Sequence, residues 1–185
     1  MSSTTAPTTH QPMTTLQPLT PRHATAAAAV PAARAWLGTP WRHQARLQGV
    51  GVDCVGLLIG VARQLGVLPP AWDITGYARL PDGVALMRHL RGLLDEVPQA
   101  DLRPGDVVCI AFDQHPQHVG LVGDYLHGGP SIIHAINGRG VVETRLMFSR
   151  GMRFVAGFAL PETPAYAGFP GAATDAATTP AGEGA

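Results

Sequence analysis

Cysteine is scarce in this chain, charge of either sign is sparse, and long hydrophobic runs are missing. Cys54 and Cys109 are the only 2 cysteines, too few for a disulfide framework, although a single bridge stays open. Charged residues make up 14% of the chain, and 13 Lys+Arg balance 13 Asp+Glu to a formal net charge of +0. That balance speaks against a nucleic-acid groove or an acidic membrane surface as partner. No stretch approaches the ~20 apolar residues of a membrane span. The opening MSSTTAPTTHQPMTTLQPLTPRH has no Lys or Arg before Arg22 and no continuous apolar segment, so no cleaved secretory leader is expected.

What the chain does have is core-forming residues. A hydrophobic fraction of 45% over 185 residues is ample for one domain. Residues 1–24 are rich in Thr, Pro and Gln, residues 162–185 in Ala, Gly, Thr and Pro, and both read as disordered tails. The compact unit is expected over 25–161, without internal repeats. AAAAVPAARAWLG predicts a helix reaching Leu37, with Pro31 in its first turn and Gly38 as its stop. TPWRHQARLQGVGV has no clear period and reads as a loop. From Cys54 the stripe Leu57, Leu58, Val61, Leu65 predicts a second helix stopped by Gly66. A third is expected over 82–96, with Asp82 as N-cap and Met87, Leu90, Leu94 and Val97 facing inward. The second half reads as strands: DVVCIAF, HVGLVG, SIIHAI, VVETR and RFVAGFAL, divided by Gly, Pro, Asn and Asp. Helices first and strands afterwards imply an α+β fold, helices on one face of an antiparallel sheet.

Within GVGVDCVGLLIG, Asp53 is a good N-cap and places Cys54 at the first helical position. Unpaired backbone N–H groups and the helix dipole favour negative charge there, so a stabilised thiolate is expected. Gly51 and Gly56 allow close backbone approach to the sulfur. A buried cysteine packing as a small hydrophobe is the plainer alternative. Two downstream histidines bear on the choice. If HVGLVG and SIIHAI form a hairpin around DYLHGGP, His118 and His134 are symmetric about Leu126 and stand opposite or nearly so on one face. One would then be the general base for Cys54 and the other its orienter.

DCVGL, RPGDVV, HVGLV and IIHA, in this order, resemble the NlpC/P60 cysteine peptidases of bacterial cell walls. ARAWLGTPWRHQARLQGVGVDCVGLL, GYARLPDG and RFVAGFALP are similar to the branch found in phage tails and gene transfer agents. The resemblance spans roughly residues 33–161. It implies a papain-like core with a cysteine-bearing helix packed on an antiparallel sheet, and no cofactor. It also implies Cys54 as nucleophile, His118 as base and His134 as the residue orienting the imidazole. The implied substrate is the γ-D-glutamyl–diamino-acid bond of peptidoglycan stem peptides. The implied setting is a tail tip that thins the wall, made in the bacterial cytoplasm, carried beside other tail proteins and acting in the periplasm or cell wall. Val55 stands where many relatives have Ser, which puts substrate recognition there in question. A tyrosine that assists the oxyanion in many relatives has no certain match.

The Cys54 backbone N–H is the expected oxyanion donor, one of the unpaired groups at a helix N-terminus. Asp53, His43 and Trp41 are the candidates around it for substrate contact, although WRH could equally pack the loop on the helix. Trp36, Trp72 and Tyr77 read as core or rim, and His89, His115 and His127 as solvated. Asp106 reads as a turn residue and Cys109 as core. Two other readings remain. Cys54, Cys109, His118 and His134 could hold zinc, although no close C-x2–4-C pair is present. The chain could also be a structural tail component on a peptidase scaffold.

Overall fold

The computed structural model describes residues 21–79, 83–112, 115–148 and 151–161, with backbone alone at 21–24 and 115–117. The expected tails fall outside it apart from residues 21–24, and so does Asp82. Three helices precede most of the strands: α1 (Pro21–Arg34), α2 (Cys54–Gln64) and α3 (Gly83–Leu93). A short antiparallel ribbon, β1 (Arg46–Leu47) and β2 (Gly51–Val52), leads into α2. The main sheet is built from β3 (Asp95–Val97), β4 (Val107–Phe112), β5 (His115–Asp124), β6 (Pro130–Ile136), β7 (Gly140–Arg145) and β8 (Arg153–Ala159). Its order is β3-β8-β4-β5-β6-β7, antiparallel throughout. This is the expected α+β arrangement.

The alternation of β4 explains why DVVCIAF reads as a continuous apolar run. Val107 and Cys109 join Leu57 and Val61 of α2 and Leu90 of α3 in the main core, whereas Val108 and Ile110 join Val122, Ile132 and Leu146 on the other face. A strand buried on both sides carries no polar alternation. Trp36, just past α1, reaches α2 at Gly60, where an added Cβ would lie 2.3 Å from the indole.

Three local expectations are corrected. α1 begins ahead of Pro31, not at it, and ends at Arg34 in a turn rather than reaching Leu37. Pro31 costs one intrahelical bond there, and burial of Ala29, Val30 and Ala33 offsets it. α3 stops at Leu93, and Asp95–Val97 pairs with β8 as an edge strand, so Val97 is buried from a strand and not from a helix. The aperiodic loop before Cys54 contains the β1–β2 ribbon, too short to register as alternation. At the opposite edge, residues 38 and 39 lie along β7: Gly38 N–H donates to Val141 O and Val141 N–H to Thr39 O, both at 2.9 Å.

Candidate active site

β2 delivers the chain to Asp53, which caps α2: its backbone is extended and its Oδ1 accepts from Gly56 N–H at 2.8 Å. The cap read from sequence is therefore present. The carboxylate does more than cap. Oδ2 accepts from Gln44 N–H at 2.7 Å, and the Tyr77 hydroxyl donates to the pair of oxygens from 2.9 Å and 2.7 Å. Arg46 in turn donates to the Tyr77 oxygen at 3.2 Å, and His43 Nδ1 lies 3.5 Å from Oδ2. Gly56 is required for this packing, since a Cβ there would sit 2.3 Å from the Ala45 carbonyl oxygen.

Cys54 opens α2 and is partly exposed in a cavity of about 570 Å³. Trp41, His43, Asp53, Tyr77, Arg79 and His118 share its walls, so the structure brings the candidates on the loop, the helix and the sheet to one place. His134 lies behind this wall, 4% exposed. The β5–β6 register pairs Leu121 with Ile133 and Val122 with Ile132, centring the hairpin on His127 rather than the expected Leu126. His118 and His134 are thus diagonal neighbours, not directly opposite. A shift of two residues preserves the face because side chains alternate with period two. His118 Nε2 meets His134 Nδ1 at 2.9 Å, and His134 Nε2 stands 3.4 Å from Thr144 Oγ1 on β7.

Burial and the neighbouring His134 lower the His118 pKa to about 3, and burial with the Arg139 charge lowers His134 to about 4. The expectation of a stabilised Cys54 thiolate is corrected: its pKa is pushed up to about 11. Burial acts first and the adjacent Asp53 charge second, against weaker help from the N–H groups of Val119, Val55 and Cys54 itself. The cap that places the sulfur at the helix start also sets a negative charge beside it. Burial thus favours the neutral form of both the Cys54 thiol and the His118 imidazole, which line one cavity.

Cys109 is fully buried in β4. Among the described residues no group of three or more His, Cys, Asp or Glu is arranged to hold a metal ion. The facing nitrogens of His118 and His134 are spent on each other. Trp36 is core, Trp72 is half-buried, and His89 and His127 are exposed. The His115 side chain lies outside the described residues. Asp106 is buried in the RPGD turn, where it accepts from Arg103 N–H at 2.9 Å. Tyr77, read as core or rim, belongs to the site, and with it Arg46, Arg79 and Thr144, which the sequence did not single out. Nothing in the aperiodic ITGYAR stretch, beyond its family resemblance, points toward Asp53.

The fold is similar to two solved structures. The NlpC/p60 domain of the peptidoglycan hydrolase SagA superposes with a TM-score of 0.51 at 21% identity, over 72% of this chain and 97% of that one. An NlpC/P60 family protein from Bacillus cereus superposes with a TM-score of 0.53 at 21% identity, over 74% of this chain and 40% of that one. The fold is the NlpC/P60 fold. No family model and no curated protein matches the chain.

Proposed function

We propose that this chain is an NlpC/P60-type cysteine peptidase that hydrolyses γ-D-glutamyl–diamino-acid bonds of peptidoglycan stem peptides. The observation that carries the reading is the His118–His134 contact at 2.9 Å behind a cavity that Cys54 and His118 both line. With Nε2 of His118 donating to His134 Nδ1, Nδ1 of His118 is left as the base. His134 keeps its own proton on Nε2, facing Thr144, so one set of tautomers satisfies the row.

Cys54 Sγ attacks the γ-carbonyl carbon while its proton passes to His118 Nδ1, the order that a thiol held near 11 requires. The Cys54 N–H faces the developing oxyanion. Collapse breaks the C–N bond, and the His118 proton leaves with the amine. Water, deprotonated by the same imidazole, then releases the acyl group and restores the thiol. His134 is a positioning residue. Trp41, His43 and Tyr77 line the same cavity as Cys54 and His118. The sequence resemblance to the phage-tail and gene-transfer-agent branch supports a tail-tip setting, alongside other tail proteins at the cell wall.

The test is incubation of the chain with purified peptidoglycan and mass analysis of the released stem peptides. Cleavage between D-glutamate and the diamino acid by the wild type, and none by Cys54→Ala, is expected. Equal release by both would overturn the reading.

A further inference from the structure

We infer that Arg79 selects the substrate, by binding the free α-carboxylate of the glutamyl residue whose γ-carbonyl Cys54 attacks. The inference rests on the peptidase reading above and adds a specificity determinant to it. Among the described residues that line the Cys54 cavity, Asp53 is the acidic side chain and Arg79 the basic one. Asp53 is 3% exposed and committed to Gly56, Gln44 and Tyr77. Arg79 is exposed, and no ion pair among the described residues involves it.

Its guanidinium lies over the Trp41 ring, 4.8 Å from the centroid. Stacking on an aromatic face holds a guanidinium in place and leaves its in-plane N–H fork free for a carboxylate. The platform is registered to the nucleophile. Trp41 bridges Val52, and Val52 N–H donates to Pro40 O while Arg42 N–H donates to Val52 O, both at 3.0 Å. Val52 is two residues before Cys54. In a γ-glutamyl substrate the α-carboxylate lies roughly 5 Å from the attacked carbon along an extended chain of C–C bonds. A substrate of this length can bridge two groups that line one cavity, as Cys54 and Arg79 do. A fork aimed at a planar carboxylate also disfavours the α-carboxamide, which places an NH2 group where an acceptor is needed.

The probes are two synthetic peptides, L-Ala–γ-D-Glu–diaminopimelate and its α-carboxamide (D-isoglutamine) counterpart. Hydrolysis is followed with the wild type, and binding by calorimetry with Cys54→Ala. The wild type should favour the carboxylate about 10- to 100-fold in kcat/KM, mainly through KM, and Cys54→Ala should show the same ratio in Kd. Arg79→Gln should bring both ratios toward one, and Arg79→Lys should restore part of them. Hydrolysis of both peptides at equal rates would overturn the Arg79 assignment and leave the peptidase reading standing. Discriminating binding without hydrolysis would do the reverse, and neither binding nor hydrolysis would overturn both.

Discussion

Replacing Asp53 by Asn separates the two effects that this carboxylate has on Cys54. Asn retains an oxygen for Gly56 N–H, so the α2 cap survives at small cost. The charge that helps hold the thiol near 11 is removed. At an effective dielectric of ~20, two like charges a few ångströms apart repel by on the order of 3 kcal/mol, or ~2 pKa units. Solvent in the cavity beside the partly exposed Cys54 reduces this to about one unit. Near pH 8 a thiol of pKa about 11 is ionised about one time in a thousand, and a fall of one unit raises that about tenfold. The assay is the rate of Cys54 alkylation against pH, with the modified peptide mapped by mass spectrometry. Cys109, fully buried with its pKa pushed up to about 12, serves as the slow internal reference. Asp53→Asn should alkylate about tenfold faster at pH 8 even though it melts at lower temperature, because Gln44 N–H and Tyr77 O–H lose a charged acceptor. An unchanged or higher midpoint would refute the claim that Asp53 opposes ionisation of the thiol.

Three further outcomes are expected. His134→Asn, which can still meet His118 Nε2, should keep measurable hydrolysis, and His134→Ala should lose substantially more; equal rates would remove the positioning role. His118 and His134 hold their protons less tightly when folded, near 3 and 4, than an ordinary imidazole at 6.5, so the unfolded chain binds more protons between these limits. Stability should therefore be full above pH ~6.5 and decline toward pH 4, by on the order of 3 kcal/mol for buried His134 alone. Melting temperatures across that range test this, and a flat profile would contradict it. Gly60→Ala drives a Cβ to 2.3 Å from the Trp36 ring and should cost ~1–3 kcal/mol in denaturant titration; wild-type stability would show that the indole gives way freely.

The sequence was most legible where a local rule and a tertiary constraint agree. Asp53 caps α2 as its side-chain chemistry dictates, and of the stripe behind Cys54, Leu57 and Val61 are buried in the core with Leu58 and Leu65 partly buried against it. The histidine pair is recognisable because moving the β5–β6 turn's centre by one residue shifts the register by two, which parity tolerates. Length-limited elements were not legible: β1, β2 and β3 have two or three residues each, too few for any period. Pro31 lies inside α1 and not at its start, because tertiary burial of the alanine face overrides a local breaker. The Cys54 ionisation departs from its helix position for a different reason. Helix position argues for a thiolate, and only the three-dimensional burial and the Asp53 charge show which influence prevails. Tyr77 and Arg79 reach the site from an irregular segment, where sequence pattern carries no directional information.

The stitching of residues 38 and 39 along β7 bears on how the molecule behaves in a crowd. An edge strand normally offers a row of free amide and carbonyl groups to any passing extended chain. Here Val141 has both of its outward groups committed to the same molecule. The other edge is β3, only 3 residues long, with Asp95 and Glu96 exposed. One border is thus partly covered from within, at Val141, and the other is short and carries two exposed acidic residues. Such a sheet gives a neighbouring copy little to zip onto, so a chain with a formal net charge of +0 has protection against edge-to-edge aggregation that its charge does not supply.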